Sequence, residues 1–225
     1  MKALALSAAI FAATVIPGAA GTLGIEVFDN GTLVDQLSGI ATGTALLTTS
    51  DPFFRDIQVN VEGSPVLPHA DLSSTSLDAT ASTGFTGTHV LTVEVFQTNV
   101  SGSGPTQSTF TVNGLIGNPG PTTETTYAGG TATTLGTPLA AHTFPVGLTT
   151  GSAGPIDAAF GAFNADALEY SIAFTAANQS FGGSAQITTG GAVPEPATWA
   201  MLIIGFGFMA WGASVRREAR ALEVA

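Results

Sequence analysis

In several stretches between residues 21 and 193, apolar side chains recur at every second position, and this period constrains the fold more than any other feature of the chain. Leu23, Ile25 and Val27 share one face, and Ile57, Val59 and Val61 repeat the pattern. Leu91, Val93 and Val95 are opposed by Thr92 and Glu94. Phe110 with Val112 is a shorter case. Tyr170, Ile172 and Phe174 form another, before residues 178–183 turn the chain into Ala185-Gln186-Ile187. Successive side chains of a strand point to opposite sides, so a period of two marks a strand with one wet face. Asn30-Gly31 after Val27-Phe28 is a hairpin signal that returns the chain through Leu33-Val34.

Composition agrees. The same region is rich in Gly, Thr, Ser, Ala and Val, the residues of strands and turns. The reading is a mainly β, antiparallel β-sandwich of about eight to ten short strands. Residues 65–68, 117–127 and 129–138 read as turn-rich segments and poor strand interiors. Helix is confined to a turn or two near residues 155–160 or 164–168. A β-helix is the alternative, but it should show a fixed repeat. The only echo is between residues 91–104 and 170–183, each reading as strand, Asn-Ser-Gly turn, strand.

The two ends read differently. Lys2, the apolar run of residues 3–16, Pro17 and the small residues Gly18-Ala19-Ala20 form a secretory signal peptide over 1–20. The run is short for a membrane span, which needs roughly 20 residues. Near the other end, residues 197–215 carry no charge, and as a helix they would extend about 28 Å. Arg216, Arg217 and Arg220 follow. Arginine is costly to move through a bilayer, so this end stays cytoplasmic as a topogenic stop. The body between the two hydrophobic segments then lies across the membrane. Pro194-Glu195-Pro196 precedes the span. Its prolines remove backbone donors and favour an extended form that an enzyme cleft can grip, with Glu195 as a charge to recognise.

The run Val193-Pro194-Glu195-Pro196-Ala197-Thr198-Trp199-Ala200-Met201, with its apolar span and Arg cluster, resembles the PEP-CTERM sorting signal in its PEPxxWA variant. The resemblance implies a Gram-negative exporter and processing by the membrane enzyme exosortase near Pro194-Glu195-Pro196. Pro194, Glu195, Pro196 and Trp199 are then the recognition residues. It also implies an association with exopolysaccharide and biofilm. Glu218 dilutes the basic cluster, a departure from the family pattern. The domain reading is a signal peptide (1–20), an exported β domain (21–192) and a sorting signal (193–220), with the span at 197–215 and the stop at 216–220. The expected partners are signal peptidase, the secretion machinery, exosortase and exopolysaccharide. The inner membrane holds the precursor, and the cell surface or the medium receives the product.

The exported part has one basic residue, Arg55, against thirteen carboxylates. Nucleic-acid binding is disfavoured, because phosphate contacts need Lys and Arg, and so is docking on anionic lipid. The chain has no cysteine, hence no disulfide or thiolate chemistry. Asp51, Asp56 and Glu62 with His69 make a metal site only on paper, and no spaced calcium loop or HExxH motif is present. Asp29-Asn30-Gly31-Thr32 lacks the spaced carboxylates of a calcium loop. His89 shares the face of Leu91 and reads as a core-edge histidine. Acid pairs such as Asp71 with Asp78, or Asp51 with Asp56, could in principle serve a glycosidase, and no GxSxG elbow exists. No catalytic residue, cofactor or metal ligand is predicted. The expectation is an exported, non-enzymatic structural or adhesive protein. The alternatives are a carbohydrate- or calcium-binding module and, behind it, a hydrolase.

Overall fold

The computed structural model describes residues 21–41, 43–64, 71–117 and 119–189. The signal peptide, His69, the span at 197–215 and all the sorting residues, from Pro194 to Arg220, lie outside the described residues. Ten strands follow one another: β1 (Thr22–Asp29), β2 (Thr32–Ala41), β3 (Gly43–Thr49), β4 (Phe54–Ser64), β5 (Asp71–Ala81), β6 (His89–Ile116), β7 (Thr122–Thr131), β8 (Thr134–Phe144), β9 (Gly151–Phe174) and β10 (Ser180–Thr189). All pairings are antiparallel. No helix occurs among the described residues.

The period-two stripes become the core. Ile25, Val27, Ile57, Val59, Val61, Leu91, Val93, Val95, Phe110, Val112, Tyr170, Ile172 and Phe174 are fully buried in one cluster. The Asn30-Gly31 hairpin forms as expected, pairing Asp29 with Thr32. Asn30 and Gly31 both take positive φ, 48° and 76°, which the tight two-residue turn requires.

The strands belong to one sheet, not to two separate ones. Its order is β3-β4-β5-β10-β6-β9-β7-β8, with β1 against β6 and β2 outside β1. β6 and β9 make the connection. Residues 91–98 of β6 pair with β1, whereas residues 106–116 pair with β10. β9 runs beside β6 on both sides of a bend. The bend lies where the β6–β9 register slips, between Thr98 and Gly104, and Asn99 and Gly104 have φ of 56° and 95° there. The sheet thus folds over on itself and comes near to closing as a barrel. Its halves face each other across the core. Phe54 meets Phe174 at 5.0 Å and Tyr170 meets Phe181 at 6.4 Å, both edge-on.

Three expectations change. Asn99, Ser101 and Gly104 do not turn the chain back, so the echo with residues 170–183 does not describe two hairpins. The first member is the bend of a 28-residue strand. Residues 155–160 and 164–168 are strand, because β9 pairs with β6 through both. Residues 122–131 and 134–144 form a hairpin despite their glycines, with a register shift between Thr126 and Tyr127. In each case ladder hydrogen bonds to a partner strand outweigh a weak local preference.

Candidate functional site

The acid groups suggested by the sequence are not brought together. Asp51 caps a turn, its Oδ1 accepting the backbone N–H groups of Phe53 (2.7 Å) and Phe54 (2.6 Å). Asp56 accepts from Gln58 Nε2 on the outer face of β4. Glu62 is exposed six residues further along the strand, about 20 Å away. Among the described residues, no group of three His, Cys, Asp or Glu side chains is placed to hold a metal. Asp71 and Asp78 stand seven residues apart on β5, about 23 Å, whereas a glycosidase pair needs about 5–10 Å. Asp29 contacts His89 Nδ1 at 2.7 Å, and Asn30 Nδ2 lies 3.2 Å from the same nitrogen. His89 Nε2 reaches the Thr86 carbonyl oxygen at 3.2 Å. Asn30 Oδ1 also accepts the Val90 N–H. His89 is therefore the core-edge histidine expected, locking the first hairpin to β6.

Two other carboxylate groupings appear. On the outer face, Glu26, Glu94 and Glu169 stand directly opposite one another across β1, β6 and β9. Like charges at such positions repel. Glu94 is pushed from 4.5 to about 7, chiefly by burial, then by Glu169 and Glu26. The Tyr127 hydroxyl donates to Glu169. Burial, with that bond, raises the Tyr127 phenol above its ordinary value.

The second grouping lies between the two halves of the sheet. Glu124 is 0% exposed, and neither carboxyl oxygen has a hydrogen-bond partner. Burial raises it to about 8, and the Thr111 backbone, placed too loosely for a formed bond, offsets this only in part. The Tyr170 hydroxyl and Ser74 Oγ are also sealed; they lie near each other and the Ala185 backbone but without the geometry of a formed bond. Asp166 is 1% exposed, with both oxygens unpartnered. Burial raises it to about 8; its own backbone N–H offsets this only in part, and the charge of Asp71 adds to the rise. Gln97, opposite Asp166 in the β6–β9 ladder, is 0% exposed with neither amide atom bonded. Asp71 Oδ1 is likewise buried and unpartnered. Buried polar groups are normally paired, so these are costly.

Sequence reasoning passed over Asp166 and Glu124. The signal was present: Asp166 lies two residues before Leu168 on the Leu168–Tyr170–Ile172 face, and Glu124 alternates with Thr122 and Thr126. Reading 164–168 as a helical turn and 117–127 as a loop hid both.

The last strand among the described residues ends at Thr189, five positions before Pro194. A family model for the PEP-CTERM protein-sorting motif matches residues 192–217. The chain carries a PEP-CTERM sorting signal. That signal marks an exported, membrane-passing protein that exosortase recognises and processes. No curated protein matches the sequence. A chain in the structure of infectious bursal disease virus Gt strain is similar at 14% identity and a TM-score of 0.33. The match covers 79% of this chain and 53% of that one, so this chain spans about half the length of the viral one.

Proposed function

We propose that this PEP-CTERM protein is a non-enzymatic structural or adhesive component of the cell surface or extracellular matrix, associated with exopolysaccharide or biofilm. The observation that carries the reading is the sorting motif at 192–217 directly behind a β body. The secretion machinery and signal peptidase deliver the precursor, whose body then stands in the periplasm, held by the 197–215 span. Exosortase grips Pro194, Glu195, Pro196 and Trp199, while Arg216, Arg217 and Arg220 stay cytoplasmic. Four residues lie between Thr189 and Pro194, so whatever their path the enzyme works within about 17 Å of the sheet.

The outer face supports contact with a hydrated polysaccharide. Ser73, Thr75, Thr109, Ser184 and Gln186 line a shallow polar depression over β5, β10 and β6. Hydroxyl and amide groups of this kind both donate and accept, as sugar hydroxyls do. Glu195→Ala tests the sorting step. It lies outside the described body and leaves the fold intact, so the expected result is full-length protein retained in the membrane fraction, read by immunoblot and intact mass. Release at the wild-type level would refute the assigned recognition role.

A further inference from the structure

Among the described residues the folded sheet has four free edges: β2, β3, β8 and residues 151–163 of β9. A free edge offers unpaired backbone N–H and C=O groups to any strand that lies against it, and native proteins blunt such edges with charge, proline or bulges. Three of these edges are blunted. β2 carries Asp35, and its register slips twice against β1. β8 carries Pro138, where its pairing with β7 also slips. Residues 151–163 contain Pro155 and Asp157. β3 has none of these devices. Its seven residues, Gly43–Thr49, hold no charge and no proline, and all of them pair with β4 without a register shift. Leu46 projects from the middle of its outer face, 61% exposed, between the exposed Thr44 and Thr48.

We propose that β3 pairs antiparallel with β3 of a second copy of this chain, with Leu46 on the two-fold axis, so that one sheet runs through both molecules. The strand's own sequence sets the occupant. About Leu46, the run Thr44-Ala45-Leu46-Leu47-Thr48 reads nearly alike in both directions. On the outer face Leu46 meets its own copy and leaves water, flanked on each side by a Thr44–Thr48 pair, and Thr–Thr pairs are favourable cross-strand contacts. On the inner face Leu47 meets the small Ala45 at the rim of each core, 8% and 6% exposed. Charge favours this seam over other surfaces. The exported body has one basic residue against thirteen carboxylates, so most of its faces repel a copy of themselves. Across the β3 seam no carboxylate meets another, because Glu62 stands one strand back, beside Thr44. The two-fold axis closes the assembly at two copies. Seven residues a side is well short of the roughly 20–30 of a stable interface, so the association is weak and concentration-dependent. It is independent of the sorting signal and of any saccharide contact.

The chain has no cysteine, so introduced cysteines report the contact cleanly. In the full-length protein in detergent, Leu46→Cys places two thiols on the axis, with Cα atoms about 4.5–5.5 Å apart and within disulfide reach. Mild oxidation should convert it to a covalent dimer at least about tenfold faster than Val146→Cys, a comparably exposed position in the turn after β8. Thr44→Cys alone should stay slow, because its copy lies about 14 Å along the strand, and should cross-link when mixed with Thr48→Cys. Sedimentation of the wild type should show a mass that rises with concentration. Leu46→Lys sets two like charges on the axis and should abolish that rise while leaving the melting temperature unchanged. Leu46→Cys no faster than Val146→Cys, or Thr44→Cys alone as fast as Leu46→Cys, would overturn the pairing. So would a single-chain mass at every concentration up to about 1 mM. Association undiminished by Leu46→Lys would overturn it too, since the contact would then lie elsewhere in the chain.

Discussion

At the residue scale, the interior is decided by a few close approaches. Gly63 is the clearest. A methyl group there would stand 2.5 Å from Gln97 Oε1 and 2.5 Å from a Leu23 methyl, both belonging to side chains sealed in the core. Gly63→Ala should therefore destabilise the protein by about 1–3 kcal/mol, the usual cost of forcing a packed interior apart. Urea denaturation would show it as a lower midpoint at unchanged slope. A stability equal to wild type would mean that Gln97 has room to move. The period of two marks position 63 as inward-facing, in step with Val59 and Val61. What the sequence lacks is the identity of the side chain opposite, which comes from β6, more than thirty residues further on.

At the element scale, β6 and β9 are the members that turn one sheet into two facing halves. Their bend depends on backbone that L side chains adopt reluctantly. Gly104 has φ of 95° with open space where a Cβ would project. Gly104→Ala should thus cost about 1–2 kcal/mol through conformation alone, with no steric contribution. Equilibrium unfolding measures the loss. An unchanged midpoint would show that the bend relaxes without penalty. Locally, the Asn-Val-Ser-Gly-Ser-Gly-Pro run at 99–105 carries every mark of a reverse turn. The chain nevertheless continues forward, because β1 and β10 meet the same edge of β6 on either side of the bend and β9 follows it throughout. A sequence window sees the turn residues and not those partners.

At the scale of the whole molecule, the sealed carboxyls make stability depend on pH. Glu124 rises from 4.5 to about 8 and Asp166 from 3.8 to about 8, both mainly through burial. Between the ordinary carboxyl range and about pH 8, the folded chain holds protons that the unfolded chain has released. Their stabilising contribution is complete below about pH 4 and is lost as the pH rises through about 8. The melting temperature should therefore fall from pH 5 to pH 9, and Glu124→Gln should flatten part of that slope. Thermal melts across that range check it. A melting temperature that rises with pH would show that these groups are ionised and paired in the folded state.

The sequence by itself determined what is local. Alternation along Leu23–Val27, Ile57–Val61 and Leu91–Val95 fixed which face of each strand is dry, because side chains on a strand must alternate. Asn30-Gly31 fixed the first turn through its backbone preference, and the segment around Pro194-Glu195-Pro196 fixed the sorting route through contiguous residues. Only the tertiary structure decided that residues 99–105 bend and do not reverse, that a single sheet folds over its own core, and that Asp166 and Gln97 stand opposite each other inside it. Those outcomes rest on pairings between strands far apart in the chain, and a two-residue period carries a face but no address for its partner.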